Sequence, residues 1–355
     1  MTYCCGILVR DGLVMIADTR TNAGLDNISV FRKLHVFSVP GERIIAIASA
    51  GNLSLTQSVL SMLHEGLENP ETGERETLID APTMFQAAQR LGRAIRALHR
   101  MEGAALEAAD AVLLFRTATK QVCARHGYHA SFMSRPGIPG FFSSGWHLHL
   151  SACDARSGEN VFVSEDPSSI LSETGVQFAA GILEHACEST VFTTPTINGY
   201  KRFRPNALAP DRVNWGADQR GALLRICGTY GDPATHLENR AGEPAANPYL
   251  YVASQIVAGL DGIRRELTPP EQTDRPYETD ATLLPASLSA AIEELDNSEF
   301  FRDALGSELV DFLLVHKRSE VARWSAAGGV EPTASEESGE EPVSEWEQRE
   351  YFDLF

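Results

Sequence analysis

Ser143 to Ser151, SSGWHLHLS, alternates apolar and polar residues with a period of two, the repeat of a β-strand. Trp146, Leu148 and Leu150 therefore fall on one face, and His147, His149 and Ser151 on the other. Two imidazoles point the same way, and imidazole nitrogen suits zinc and manganese. A metal site needs three or four protein ligands, commonly completed by carboxylate or thiolate, so the pair alone reads first as half-exposed strand histidines.

The chain around this strand has 355 residues, 43% hydrophobic and 22% charged, enough for two ordinary soluble domains or one large one with appendages. A net charge of -18 argues against nucleic acid and anionic membrane surfaces, whose phosphates call for Lys and Arg. No apolar run approaches the length of a membrane span, and Met1 to Arg10 lacks the charged and apolar regions of a signal peptide, so a cytoplasmic location is expected. Six cysteines (Cys4, Cys5, Cys123, Cys153, Cys187, Cys227) show no CxxC pair and read as free, mostly buried thiols.

Upstream, Cys4 to Val9 and Leu13 to Ala17 are β runs joined through Arg10-Asp11-Gly12, a hairpin signal. Ile44 to Ser49 is a third. Gly51-Asn52 then leads into a helix with Leu55, Val59 and Met62 on one stripe and Asn52 as its cap. A second helix follows Pro82. The helical pattern runs on from Ala104, with Val112, Phe115, Ala118 and Val122 on one stripe and Gly127 as its stop. Strands first and helices after make an α+β pattern. Downstream of the histidines come a helix around Gln177 to Ala186, a strand around Ala222 to Ile226, a long helix from near Ala245 towards Ile263, and weaker helices as far as Val321. Gly328 to Glu345 carries six Glu and no basic residue, the composition of a disordered insert. The closing WEQREYFDLF is aromatic enough to dock on the body.

Between Lys201 and Arg240 the charge reverses, with seven basic residues against four acidic ones. Planar arginine forks suit carboxylates and phosphates, so this local excess suggests a pocket for a multiply anionic ligand; a solvated surface would read the same way.

SSGWHLHLS, TPTINGYKRFRP (Thr194 to Pro205), WGADQRGALLRI (Trp215 to Ile226) and HLENRAGEPAANPYLYVASQIVAGLDGI (His236 to Ile263) resemble, in order and spacing, the C-terminal part of the glutamine synthetase catalytic domain. That resemblance covers about residues 108–355 and implies an ATP-dependent carboxylate–amine ligase, joining glutamate to ammonia or another amine through a γ-glutamyl phosphate. It implies His147 and Glu238 as ligands of Mg2+ or Mn2+, and His149 and Ser151 as residues facing ATP. Arg202 and Arg240 would hold the carboxylates of the amino-acid substrate, and Arg220 and Arg225 the phosphates, with Arg220 also at the transferring phosphoryl group. The chemistry agrees, because phosphorylating a carboxylate develops charge on oxygens that arginines and divalent ions stabilise.

Three positions depart from the family pattern. Phe142-Ser143 stands where an Asn-Gly touches substrate, Leu208 where a flap glutamate helps deprotonate ammonia, and His236 where an arginine lies near the nucleotide. The first two suggest a branch using another amine or acid. The upstream carboxylates of both metal sites have no counterpart in this sequence, so activity is expected to be impaired or lost.

Residues 1–107 carry a different resemblance. TYCCGILVRDGLVMIADTRTNAGLDNISVFRKLHVF (Thr2 to Phe37) is similar to the N-terminal half of proteasome-type β-subunits, most closely the bacterial ancestral β-subunit (Anbu) group. It implies a truncated Ntn-hydrolase half-sandwich, with Thr2 as an N-terminal nucleophile, Asp18 and Lys33 assisting proton transfer, and the Gly51 amide at the oxyanion position. The fold expected is thus a half-sandwich followed by part of a glutamine synthetase α/β domain, joined within Glu102 to Ala109. Two alternatives to the ligase follow: an N-terminal-threonine peptidase, and a non-catalytic fusion that co-assembles with a complete glutamine synthetase-like paralogue. A homo-oligomer is the remaining assembly expected.

Overall fold

The hairpin signal at the N-terminus is realised: β1 (Cys4–Val9) and β2 (Gly12–Ala17) pair antiparallel with Val9 opposite Gly12. The computed structural model describes residues 4–9, 12–17, 20–22, 28–30, 32–49, 53–69, 73–330 and 342–355. These divide into two units, Met1–Leu106 and Glu107–Phe355. The first also contains β3 (Arg20–Asn22), β4 (Ile28–Val30), β5 (Leu34–Val39), β6 (Arg43–Ala48), α1 (Leu53–Glu65), β7 (Leu67–Glu68), β8 (Arg75–Glu76) and the start of α2 (Met84–Arg125). Its described strands pair only as four separate two-stranded hairpins, so they do not form the half-sandwich sheet expected from the sequence. A lone two-stranded ribbon is marginal in water. What is buried in this unit is a small cluster that includes Phe37, Ile45, Val59, Leu63, Leu78 and Ala87, drawn from β5, β6, α1 and the segment leading through α2. Asn52, expected to cap α1, lies outside the described residues, as does the centre of the acidic insert at 331–341.

Helix α2 ends where Gly127 was expected to stop it. Gly127 adopts φ 76°, its N–H bonds Ala124 O, and the Tyr128 N–H reaches back to Cys123 O, the two bonds of a Schellman stop. The expected apolar stripe is largely exposed, with Phe115 at 56% and Val122 at 51%. Of the four cysteines whose side-chain burial is described, none is fully buried, and Cys153 is exposed. Residue type alone favours burial, but Cys123 sits on the helix α2 and the others on a short strand and loops near the surface.

In the second unit the strands β9 (Leu148–Leu150), β10 (Trp215–Ala217), β11 (Leu224–Cys227) and β12 (His236–Asn239) form one sheet in the order β10-β11-β12-β9. β10 lies parallel to β11, and the remaining pairs are antiparallel. Period-two alternation turns Leu150, Leu224, Ile226 and Leu237 into a core with Phe162, Phe178 and Ile182. Two helices cover that core. α3 (Glu173–Glu184) starts at Ser172, whose hydroxyl accepts from the Gly175 N–H; α6 (Pro248–Arg264) starts at Asn247, whose side chain accepts from Tyr249 and Leu250 ahead of Pro248. α4 (Thr190–Thr193) and α5 (Ile197–Tyr200) are short helices between α3 and β10. α7 (Leu288–Asp296), α8 (Glu299–Leu305) and α9 (Ser307–Ala326) build a second cluster around Phe301, Leu295 and Leu314. α10 (Glu345–Tyr351) docks the C-terminus: Tyr351 is 2% exposed, and Glu347 binds Lys201 Nζ at 2.7 Å.

A buried histidine ties α3 to α6. His185 Nδ1 meets Glu188, its Nε2 lies 2.9 Å from Asp261 Oδ2, and its ring stacks on Phe300. Burial opposes its charged form, but the bonds to Glu188 and Asp261 outweigh burial and hold its pKa above the ordinary 6.5. Burial likewise opposes the Asp261 charge, and His185 and Arg265 outweigh it and hold that carboxyl below 3.8. A raised histidine stabilises below its unfolded pKa and loses that contribution as pH rises through its folded value. A lowered carboxyl stabilises above its unfolded pKa and loses that contribution as pH falls through its folded value. The cluster is therefore expected to contribute fully between 3.8 and 6.5 and to weaken above that range as His185 loses its proton. All four tryptophans lie in residues 107–355, so denaturation followed by their fluorescence reports this unit. His185→Gln should flatten the decline above the histidine pKa, and an unchanged pH slope would refute the assignment.

Candidate active site

The sheet face opposite the helices is polar, and its register fixes who meets whom. Arg225 pairs with Glu238 and Glu238 with His149, so one row across three strands reads arginine, glutamate, histidine. Two residues further along the same face, Cys227 pairs with His236. His147, just before β9, brings Nδ1 within 2.8 Å of Glu238 Oε1, and His149 Nε2 lies 3.9 Å from the same oxygen. Both histidines of SSGWHLHLS thus face one carboxylate, about ninety residues away in the chain.

Glu238 is 3% exposed and heavily partnered. Arg240 Nη1 donates to Oε1 at 2.6 Å and Arg225 Nη1 to Oε2 at 3.0 Å. Burial resists its ionisation, yet Arg225, Arg240 and the two histidines prevail and hold its carboxyl below the usual range. Burial, then the Arg240 charge, pushes His147 down to about 4 against the pull of Glu238, leaving the ring neutral at neutral pH. Arg240 also donates to Arg220 O at 2.7 Å and Leu208 O at 3.1 Å. Those bonds fasten the loop at Leu208, a non-glycine residue at φ 57°, over the site.

The expected carboxylate-binding arginine Arg202 is 3% exposed and donates to Ala241 O and Gly242 O at 3.2 and 3.0 Å. Burial lowers its pKa to about 10. Gly145 makes room for it: a Cβ there would lie 2.6 Å from Arg202 Nη2 and 2.7 Å from His147 Nε2. Arg220 and Ser151 are exposed, and Arg225 is half-buried and clamped by Asp218 as well as by Glu238. Glu238, His147, His149, Arg225 and Arg240 therefore share one polar face, with Arg202 beside His147 at Gly145. Thr2, Asp18 and Gly51 lie outside the described residues, and Lys33 is buried.

Several participants escape a reading of the sequence. Asp218 steadies Arg225 from a turn residue at φ 54°. Glu243, 1% exposed, accepts from Ser134 and from Thr196 N and Oγ1 at 2.8 and 2.9 Å, knitting three segments beside Arg202. Cys227 stands two residues from Arg225 on its strand, and that spacing alone could have placed it on the charged face.

Comparison with known proteins agrees with this architecture. The family model described as glutamine synthetase, catalytic domain, matches residues 95–334. The chain belongs to the glutamine synthetase family. Among curated relatives, the gamma-glutamylanilide synthase of an Acinetobacter species is 46% identical over 256 residues, covering 72% of this chain and 50% of that protein. The glutamine synthetase of Thermococcus kodakarensis is 37% identical, covering 70% of this chain and 56% of its own length. Among solved structures, apo GmaS without ligand matches with a TM-score of 0.57 at 31% identity, over 69% of this chain and 53% of that one. A GmaS–ADP complex matches equally, at 30% identity. The chain spans about half the length of the relatives it matches. No described helix is long and apolar enough to cross a membrane.

Proposed function

We propose that residues 107–355 bind ATP, a divalent ion and a glutamate-like acid as part of a carboxylate–amine ligase site. The observation that carries this reading is the row of His147, Glu238, Arg225 and Arg240 on one sheet face. The donor set fits one hard divalent ion, because His147 and Glu238 offer nitrogen and oxygen, and Mg2+ uses one or two carboxylates while keeping waters. When bound, the ion and nucleotide supply the charge and the phosphoryl group for activating a γ-carboxylate. This chain's own residues position the partners. Arg225, braced by Asp218, and the exposed Arg220 present guanidinium groups to phosphate oxygens. Arg202 and Arg240, the positions that the resemblance gives to substrate carboxylates, are bonded to main-chain carbonyls and Glu238, and would exchange some of those partners to hold substrate.

The amine is read as an apolar or aromatic one rather than ammonia. Leu208, 59% exposed, occupies the flap position where the resemblance expects a glutamate that deprotonates ammonia. An aromatic amine is already neutral at neutral pH and needs no such base. The 46% identity to a gamma-glutamylanilide synthase, against 37% to a glutamine synthetase, supports the same choice.

Calorimetric titration of the full chain with Mn2+-ADP and with glutamate tests the reading. Binding of both ligands is expected, and binding of neither would overturn it. ATP-dependent γ-glutamyl transfer should be far slower than in a full-length relative and should favour aniline over ammonia. Robust turnover would remove the impairment, and a preference for ammonia would remove the assignment of the amine.

A further inference from the structure

The end of the polar sheet face beyond Glu238 holds a second set of donors, of which the ligase reading uses only His149, as a residue facing ATP. His149 Nδ1 lies 2.9 Å from His236 Nε2, and donor atoms of His149, His236 and Cys227 all lie within 4.8 Å of one another. The three come from three adjacent strands, β9, β12 and β11, so a hydrogen-bonded sheet holds their relative positions. His236 is also oriented from behind. His236 Nδ1 donates to Ala234 O at 2.6 Å, which fixes the tautomer and leaves the Nε2 lone pair aimed at His149. Glu238 Oε1 stands 3.9 Å from His149 Nε2, beyond hydrogen-bond reach, so the His149 ring stays free to turn.

Donor chemistry selects the ion. Two imidazoles and one thiolate are the borderline-soft set of a tetrahedral zinc site with its fourth position open to water. Mg2+ and Mn2+ prefer the oxygen-bearing pair at His147 and Glu238. In the present geometry the two nitrogens sit somewhat closer than two ligands of one ion, which stand on the order of 3.3 Å apart given zinc–nitrogen bonds of about 2.0–2.1 Å. A small rotation of the half-exposed His149 ring opens that gap.

We infer that His149, Cys227 and His236 bind one zinc-class ion, at a site that adjoins the His147–Glu238 pair and shares no ligand with it. Binding releases the Cys227 thiol proton to solvent and leaves the thiolate and two neutral imidazoles on the metal.

Cobalt(II) substitution in the full chain is the test. A thiolate-to-cobalt charge-transfer band and the intense visible bands of tetrahedral cobalt are expected, and zinc should abolish both. Cys227→Ser should lose the charge-transfer band, while Cys153→Ser, which alters an exposed thiol outside the cluster, should keep it. His236→Arg should weaken zinc binding, measured by chelator competition, at least ~10-fold, the loss that even an outer-shell partner causes. Circular dichroism matching the parent confirms that each variant is folded. The inference is overturned if the charge-transfer band survives Cys227→Ser, disappears in Cys153→Ser, or never forms.

Discussion

Glu238→Gln is expected to destabilise residues 107–355 by about 3–5 kcal/mol, the cost of breaking a buried ion pair by removing one partner, and to abolish divalent-ion binding beside His147. The carboxylate is 3% exposed and stands between Arg225 and Arg240, with His147 at 2.8 Å. Glutamine preserves shape but supplies no charge, so Arg240, itself only 7% exposed in its side chain, is left buried against a neutral amide. The Leu208 loop, tied to the same guanidinium, should loosen with it. Tryptophan-monitored denaturation measures the loss. Adding Arg240→Gln removes the buried cation left without its carboxylate and should recover part of it, a coupling of about 0.5–3 kcal/mol. A loss below about 1 kcal/mol for the single variant would place Glu238 among weakly coupled surface pairs instead.

Gly262→Ala should cost about 3 kcal/mol or more, at the upper end of overpacking penalties. Its Cβ would fall inside van der Waals contact of Gln177 O and 2.6 Å from Gly181 N, both backbone atoms of α3. Gly181 meets the converse limit, with a Cβ only 2.7 Å from Gly262 N. Neither helix can yield by turning a side chain, so they must separate along the face that buries Phe178 and Ile182. Gly127→Ala offers a comparison. Nothing lies within 4 Å of its Cβ, and its penalty is the left-handed conformation alone, roughly 1–2 kcal/mol. Equal losses for the two variants would show that the α3–α6 contact is looser than its geometry.

These two variants mark where reading from sequence reached and where it stopped. The Gly127 stop followed from a glycine at the end of a helical period, and the structure places it there with both Schellman bonds. The long helix near Ala245 is capped by Asn247 and Pro248, local chemistry visible in the sequence. The glycines at 181 and 262 looked like ordinary helix residues, because their role exists only where two helices cross. The apolar stripe at Phe115 and Val122 misled for a related reason: periodicity identifies a face without saying what covers it. At the N-terminus, the Asp-Gly signal predicts the first hairpin, and pairing among the described strands stays within hairpins.

The site divides along the same line. Period two within a strand put His147 and His149 on one side of SSGWHLHLS, and it holds for Arg225 with Cys227 and for His236 with Glu238. Motif order carried the family. Which of these pairs confront one another was decided only in three dimensions. Strand register is set by the buried face, where Leu150, Leu224 and Leu237 must all meet α3 and α6 together, and a slip of one residue would turn every polar side chain into that core. Packing on the apolar side thus places Glu238 against both histidines, sends Arg202 to main-chain carbonyls, and brings Cys227 and His236 together as neighbours.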